Sequence, residues 1–265
     1  MMRQDRGITL LDELIAEGST TLTAEQARTR LGISSQAASN VLRRLVDAGL
    51  LERLRPGSYA IRNLGVLGTR TAAEDLAIAV AAALPGIRHR IGYRSALDEL
   101  GLLTHPARTI QVAVARRVRM ESLSGRALRT IIEPASAVHV GAERDGPSWI
   151  SSPERALLDA AARPELVGGA AVIAEALETA APKIDPVRMM DLAQKLDWGP
   201  ALRRIGSIAD RLEIGALASS LQPLRIPSAD LDLEPQSRGN SLWRDSKWWV
   251  RWDREPDELR NSLTQ

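Results

Sequence analysis

Four polar side chains between residues 36 and 43 have a spacing and a chemistry that suit contact with DNA bases. They lie at positions i, i+3, i+4 and i+7 of a helical repeat and therefore share one face; they are Gln36, Ser39, Asn40 and Arg43. Glutamine and asparagine can form two hydrogen bonds with adenine, arginine can do so with guanine, and serine can bond to a base or a phosphate. An ordinary solvated helix can show the same pattern, so both interpretations stay open from these residues alone.

The other face of the same segment is apolar, which predicts a helix that packs one side into a protein core. Its apolar residues are Ala38, Val41, Leu42, Leu45 and Val46. We expect Ser35 to be the N-cap of this helix, and we expect the helix to run to Ala48 and to end at Gly49.

Two helices are predicted before it. The first contains apolar residues at helical spacing between Ile8 and Ile15 and ends at Gly18. The second begins at Thr23, which forms a capping-box spacing with Gln26, and ends at Leu31 and Gly32. The order is therefore helix, turn, helix.

A β-hairpin is predicted directly after the third helix, with strands at residues 50–55 and 59–62 and a turn at residues 56–58. The segment SSQAASNVLRRLVDAGLLERLRPGSYAI resembles the recognition helix and wing of winged helix-turn-helix regulators. In such a wing, Arg53, Arg55 and Arg62 are candidates for contact with the phosphate backbone. A winged helix that serves as a protein-interaction module is the alternative.

The composition is that of a globular protein with one large domain or two ordinary ones. The chain has 265 residues, is 44% hydrophobic, and carries 35 Lys and Arg against 33 Asp and Glu, for a net charge of +2. The absence of cysteine excludes disulfides, iron–sulfur clusters, thiolate zinc sites and cysteine nucleophiles. Because no signal peptide is evident and the best apolar run, residues 76–84, falls short of the ~20 residues that span a bilayer, we expect a cytoplasmic protein without a membrane partner.

We predict a winged helix-turn-helix domain over residues 1–65, a linker at residues 63–70 and a larger α+β domain over residues 70–265. Strands are expected at residues 109–114, 128–132 and 137–140, forming a small mixed or antiparallel sheet rather than a doubly wound one. Helices are expected at residues 71–84, 93–102, 153–163, 170–181, 186–196 and 200–212.

Arginines are concentrated between Gly86 and Thr130, a segment that contains nine arginines and only three acidic residues. Such a cluster is typical of a phosphate-binding surface. Within it, Arg116, Arg117 and Arg119 are candidates for additional phosphate contacts, and an exposed loop with incidental charge is an equal alternative.

The segment SSPERALLDAAARPELVGGAAVIAEAL resembles the C-terminal domain of AbiEi antitoxins, from the AbiE (type IV) toxin–antitoxin systems. The segments YRSALDELGLL, TIQVAVARRVR, ALRRIGSIADRL and LDLEP are similar to that family as well. The resemblance implies a repressor that binds inverted repeats in its own promoter and a second domain that counters a nucleotidyltransferase-like toxin, with direct contact between the two proteins left open. It places the DNA contacts on Ser35, Gln36, Ser39, Asn40, Arg43 and Arg44 of the third helix and on Arg53 and Arg55 of the wing.

Three charged residues of the most distinctive segment, Glu154, Arg155 and Asp159, match the family's helix. We expect them to form a structural ion-pair network rather than a working site, because charged helix residues at this spacing commonly pair. Four tryptophans, Trp243, Trp248, Trp249 and Trp252, are expected to pack a C-terminal strand over residues 246–252 onto the second domain.

An enzyme is not expected, and neither a cofactor nor a metal is. The sequence has no P-loop, nucleophile elbow or His-Glu-x-x-His motif, and His89, His105 and His139 are scattered. The closest catalytic pattern, Asp245-Ser-Lys247, is half of a nuclease-type metal site and arises easily by chance. A winged-helix regulator whose second domain binds a small molecule, unrelated to a toxin, is the alternative function.

Overall fold

The structure is a computed structural model of the chain and describes residues 6–62, 75–237, 239 and 241–261. It divides into two compact units: Met1–Arg88 with Val118–Arg129 and Arg144–Ser148, and His89–Arg117 with Thr130–Glu143 and Trp149–Gln265. The predicted linker at residues 63–70, and residues 71–74 of the helix predicted after it, lie outside the described residues.

The N-terminal part of the first unit contains the predicted helix-turn-helix and hairpin. Its elements are α1 (Arg6–Ala16), β1 (Thr21–Thr23), α2 (Ala24–Leu31), α3 (Ser35–Asp47), β2 (Leu51–Arg55), β3 (Ser58–Ile61) and α4 (Leu76–Ala83). Strand β1 was not predicted; it pairs antiparallel with β3, so that the three-stranded sheet has the order β1–β3–β2. Helix α4 contacts both wing strands, β2 and β3.

The N-termini of α2 and α3 are capped by side chains. In the predicted capping box, the backbone N–H of Gln26 donates to Oγ1 of Thr23 (3.1 Å) and the N–H of Thr23 donates to Oε1 of Gln26 (2.8 Å). The N-cap of α3 is Ser34, whose Oγ accepts from the N–H of Ala37 at 3.3 Å. The prediction of Ser35 as N-cap is wrong, because Ser34 keeps the extended backbone of a cap whereas Ser35 is already helical.

A small hydrophobic cluster holds these elements together. Buried leucines from α1, α3 and the sheet meet in it, together with Ala27 of α2; they are Leu10, Leu11, Leu14, Leu22, Leu42, Leu45 and Leu51. The cluster fixes α3 by its apolar face, and the polar face of α3 is therefore turned outward.

The rest of the chain forms a mixed α+β structure, which confirms the predicted fold class. Its elements are β4 (His89–Ile91), α5 (Tyr93–Glu99), β5 (Thr109–Val114), β6 (Ser122–Leu123), β7 (Arg126–Ile132), β8 (Ala142–Asp145), β9 (Ser148–Ser151), α6 (Pro153–Ala162), α7 (Pro164–Val167), α8 (Ala170–Ala180), α9 (Pro186–Lys195), α10 (Gly199–Arg211), α11 (Gly215–Ser220), β10 (Leu231–Asp232), β11 (Trp243–Asp245), β12 (Val250–Trp252) and α12 (Pro256–Asn261). Short 3₁₀ turns lie at Ala181–Lys183 and Pro235–Ser237.

The larger sheet has the strand order β6–β7–β5–β4–β9–β8 and is mixed. Strand β4 pairs antiparallel with β5 and parallel with β9, where Ile91 lies opposite Ile150. Helix α6 begins after the N-cap Ser152, with Pro153 in its first turn, and it contacts α5, α8, α9 and α10. It is the central helix of the second unit.

Two strand predictions are wrong. Residues 137–140 form turns, in which the N–H of Ala137 donates to the carbonyl of Pro134 and the N–H of Val140 to that of Ala137. In the segment 246–252 only residues 250–252 are a strand, because residues 246–249 form the turn that connects it to β11. Apolar residues in both segments are buried without strand pairing, which an alternating pattern cannot reveal.

The tryptophan-rich C-terminus packs within the second unit, where packing was expected, and its contacts there are with α10. Trp248 and Trp252 are fully buried, and Trp252 stacks on Trp243 with 5.0 Å between ring centroids. The indole N–H of Trp252 donates to Oγ of Ser207 on α10 (2.9 Å). The ring of Trp248 fills the space above Gly206, where an added Cβ would lie 2.1 Å from a ring carbon.

Replacing Gly206 with alanine should therefore destabilise the protein. We expect Gly206→Ala to lower the free energy of unfolding by ~1–3 kcal/mol, because the added methyl group must displace a buried indole. The matched control is Gly199→Ala in the same helix, where nothing lies within 4 Å of the added Cβ. Urea denaturation measures both, and equal stability of the two variants would contradict the assigned packing.

Candidate DNA-binding surface

Helix α3 presents the predicted polar residues to solvent. Seven side chains of this helix are exposed: the six predicted contacts Ser35, Gln36, Ser39, Asn40, Arg43 and Arg44, and Asp47 at its C-terminal end. On the other face Ala38, Leu42 and Leu45 are buried. The helix thus separates a core-facing stripe from a polar stripe along its full length, as a recognition helix in a major groove requires.

The polar residues of α3 are not tied to acidic neighbours. Nη2 of Arg43 donates a long hydrogen bond to Oδ1 of Asn40 (3.4 Å), and neither Arg43 nor Arg44 has an acidic partner among the described residues. A weak contact between two exposed side chains is easily exchanged for hydrogen bonds to a base edge.

The wing positions its three arginines differently. A bulge between Arg53 and Arg55 inserts Leu54, which is buried while Arg53 is exposed and Arg55 half-buried. The Nε of Arg55 is buried without a hydrogen-bond partner among the described residues. Arg62 is exposed and pairs with Glu52 at 3.3 Å.

Other arginines near the helix-turn-helix are already paired. Arg28 bonds to Glu25 and Arg30 bonds to Glu17, and the hydrogen bond from each arginine lowers the pKa of its carboxyl group. Within residues 20–62, the arginines that have no carboxylate partner among the described residues are Arg43 and Arg44 of α3 and Arg53 and Arg55 of the wing.

The remaining candidates for phosphate contact lie in the loop between β5 and β6. Arg116, Arg117 and Arg119 are all exposed there. The division between the two units passes through this loop, after Arg117. Sequence reasoning did not single out Ser34, whose hydroxyl and exposed position at the start of α3 put it beside the predicted contacts. The pair of adjacent serines at this helix start was the available signal.

A second cluster of charged residues is buried in the second unit and links four elements. Arg90 of β4 and Arg155 of α6 each contact two carboxylates, those of Glu133 and Asp159. The distances from Arg155 are 2.8 Å to each. The hydroxyl of Tyr93 donates to Glu133 at 2.9 Å. Two positive and two negative groups balance, so the cluster carries no net charge.

The four-charge network is consistent with a structural role. Burial alone would raise the pKa of Asp159, but Arg90 and Arg155 outweigh it and hold this pKa below its usual value. Burial likewise opposes the charge of Arg90, and Asp159 and Glu133 overcome it and raise the pKa of Arg90. Each charge is thus compensated by its partners, as buried charges must be.

The network agrees with the prediction for Arg155 and Asp159, while Glu154 lies outside it. Glu154 accepts from the hydroxyl of Ser152 (2.9 Å) and from the backbone N–H of Asp185 (3.3 Å). Arg90 and Glu133 could not be predicted as members of this network, because they lie far from α6 along the chain.

Asp245 and Lys247, the possible half of a metal site, are used in packing. Oδ2 of Asp245 accepts from Ser207 (2.7 Å), Oδ1 accepts from the backbone of Lys247 (3.0 Å), and Nζ of Lys247 pairs with Asp210 (2.7 Å). The described residues contain no group of three His, Asp or Glu side chains able to hold a metal ion. Among the same residues, no helix is long and apolar enough to cross a bilayer.

Helices α1 to α3 with the β2–β3 hairpin define a winged helix-turn-helix, a class of DNA-binding domain. Residues 10–62 match the family model described as "Transcriptional regulator, AbiEi antitoxin". This match confirms, for the N-terminal region, the resemblance to AbiEi antitoxins, and it describes a regulator rather than an enzyme.

The fold of the whole chain also has a solved counterpart. The crystal structure of the RV2827C protein from Mycobacterium tuberculosis is similar, with a TM-score of 0.68 at 18% identity over 97% of this chain and 94% of that chain. At this identity the likeness shows a shared fold alone. A comparison with curated protein sequences gave no match.

Removing one charge from the buried network should destabilise the protein strongly. We expect Asp159→Asn to lower the free energy of unfolding by ~3–5 kcal/mol, because Arg90 and Arg155 lose part of their compensation. The matched control is Asp191→Asn, which breaks an exposed helical pair with Lys195 and should change stability by ~0.5 kcal/mol or less. Chemical denaturation compares the two, and similar small losses would show that the network contributes little.

Proposed function

We propose that the protein is a DNA-binding antitoxin and the transcriptional autorepressor of its own toxin–antitoxin operon. In this proposal the winged helix-turn-helix, residues 1–65, binds inverted repeats in the promoter. The second domain, residues 70–265, counters a nucleotidyltransferase-like toxin. The protein acts in the cytoplasm, and no catalytic step is assigned to it.

The observation that carries the proposal is the exposed polar face of α3, on a domain that matches an antitoxin regulator family. A helix in the major groove can read bases through Gln36, Asn40 and Arg43. Ser35, Ser39 and Arg44 flank these three residues and are assigned to phosphates or to base edges at the margin of the site. The absence of acidic partners at Arg43 and Arg44 in the described residues supports this assignment.

The wing supplies contacts that do not depend on sequence. Arg53 is exposed and can reach phosphate oxygens, and Arg55 has an unpaired Nε within the described structure. Arg62 would exchange its ion pair with Glu52 for a phosphate. Arg116, Arg117 and Arg119 are proposed as further backbone contacts, because arginines outside the groove commonly fix a protein on its site.

An inverted repeat presents two equivalent half-sites, and we propose that one winged helix occupies each. The spacing between half-sites would then be close to a whole number of helical turns, about 10 base pairs or a multiple. The two copies of the protein pair either on the DNA or before they bind it. The toxin is the functional counterpart of this protein, and direct contact between the two is left open.

Operator binding is tested by a gel-shift titration of the full chain. The duplexes are the DNA upstream of its own gene and a scrambled duplex of equal length and composition, each at two salt concentrations. We expect tighter binding to the upstream DNA and weaker binding to both duplexes at high salt, because phosphate contacts release counterions. If the two duplexes bind with equal affinity at each salt concentration, the protein is not an autorepressor of this promoter. If neither duplex binds, a protein-interaction module is favoured.

Substitution of Arg43 tests base reading. We expect Arg43→Ala to weaken binding to the upstream DNA by ~1–3 kcal/mol and to change binding to the scrambled duplex little. Arg53→Ala should weaken binding to both duplexes by the same factor and should reduce the salt dependence of that binding. Arg225→Ala removes an exposed charge outside the proposed surface and is the control. Equal losses on both duplexes would make Arg43 a phosphate contact, and an unchanged affinity would remove it from the site.

A further inference from the structure

A pocket of about 370 Å³ opens in the second unit, where the end of β7, the end of α6 and the start of α10 meet. Its volume lies within the range of small-molecule sites, ~300–1,000 Å³. The lining residues that matter for its chemistry are Tyr93, Ile131, Ile132, Ala162, Trp198 and Arg204. We call it the Trp198 pocket.

Arg204 is a buried cation that forms no ion pair with any described residue. Only 8% of its surface is exposed. Its Nε donates to the carbonyl of Asp232 (3.0 Å) and its Nη1 to the carbonyl of Ala161 (2.9 Å). No carboxylate of a described residue pairs with it, and Nη2 has no hydrogen-bond partner among those residues.

The electrostatic surroundings agree with this description. Burial lowers the pKa of Arg204 to about 10, and the carboxylates of Glu165 and Asp232 act on it only from beyond ion-pair distance. In contrast, Arg90 and Arg155 in the same unit each contact two carboxylates. A buried charge normally has a partner of opposite charge. Arg204 is therefore suited to bind an anionic ligand.

Trp198 and Ile132 supply flat and apolar walls of the pocket. The Arg155 guanidinium lies 4.5 Å from the ring centroid of Trp198, and the same tryptophan borders the pocket. Ile132 is 60% exposed there, although isoleucine is usually buried. An apolar, planar group would cover both side chains.

The acidic groups at the pocket limit the charge of a ligand. Glu133 is occupied by Arg90, Arg155 and the hydroxyl of Tyr93. Asp197 is exposed at the rim. Arg163 also lines the pocket, but it pairs with Glu165. Arg204 is therefore the lining cation that has no ion pair among the described residues, and a single negative charge on the ligand fits it.

We propose that the Trp198 pocket binds a small aromatic carboxylate, with the carboxylate paired to Arg204 and the ring against Trp198 and Ile132. This inference goes beyond operator binding, because it makes the second domain a small-molecule site. It stands on contacts within that domain and does not require the proposed repressor role.

Binding is tested on the full chain with a matched pair of probes, indole-3-acetate and its neutral amide, by isothermal titration calorimetry. We expect the acid to bind at least about tenfold more tightly than the amide, because only the acid offers a charged partner to the guanidinium. Equal binding of the two probes, or no binding of the acid up to its solubility limit, would overturn the proposal.

Two variants locate the site. Arg204→Met should weaken binding of the acid at least about tenfold and leave binding of the amide nearly unchanged. Arg203→Met is the matched control: Arg203 is equally buried on the same helix, bonds to backbone carbonyls, and borders a different pocket. The proposal requires that this control keep the preference for the acid.

Ala162→Leu gives a test that leaves every buried charge in place. The larger side chain occupies pocket volume at the last residue of α6, and we expect it to weaken binding of both probes. If Arg204→Met fails to fold, the acid–amide comparison and Ala162→Leu still test whether the pocket binds the carboxylate. Unchanged binding of the acid to Ala162→Leu would place the ligand elsewhere and contradict the proposal. A gel shift in the absence of probe measures the repressor role separately.

Discussion

Burial of one side of α3 is the constraint on which the proposed DNA surface depends. Leu42 and Leu45 insert into a cluster shared with α1 and the three-stranded sheet. Side chains are held at fixed angles around the helix axis. Fixing these two leucines therefore also fixes the direction of Gln36 and Arg43 on the opposite face. The proposed base-reading geometry therefore rests on a hydrophobic contact, and the polar residues on α3 need no partner of their own within the protein.

The second unit uses charge in two contrasting ways. Arg90 and Arg155 are enclosed with Glu133 and Asp159, and this neutral network joins β4, α6 and the end of β7. Arg204 is buried almost as deeply but bonds only to backbone carbonyls. Arginine thus links elements of the fold where carboxylates surround it, and it is a candidate for binding a ligand where they do not.

Local patterns in the sequence predicted the local elements well. The amphipathic period of α3 and the Thr23 capping box require only residues within one helix, so both could be read directly. Strand β1 could not, because its three residues are defined by pairing with β3. Arg90 and Glu133 were missed for a similar reason: their partners are brought together by the sheet and α6, and no spacing along the chain reveals that. The direction of the Arg204 side chain likewise depends on packing between helices.

In the proposed function, α3 reads base edges in the major groove of the upstream DNA. Protection of guanine N7 from methylation tests it most directly, since this atom lies in that groove. We expect the bound protein to protect guanines in two half-sites about one helical turn apart, or a multiple of it, and Arg43→Ala to lose protection at one guanine in each. Bound DNA with no protected guanine, or protection unchanged by Arg43→Ala, would contradict it.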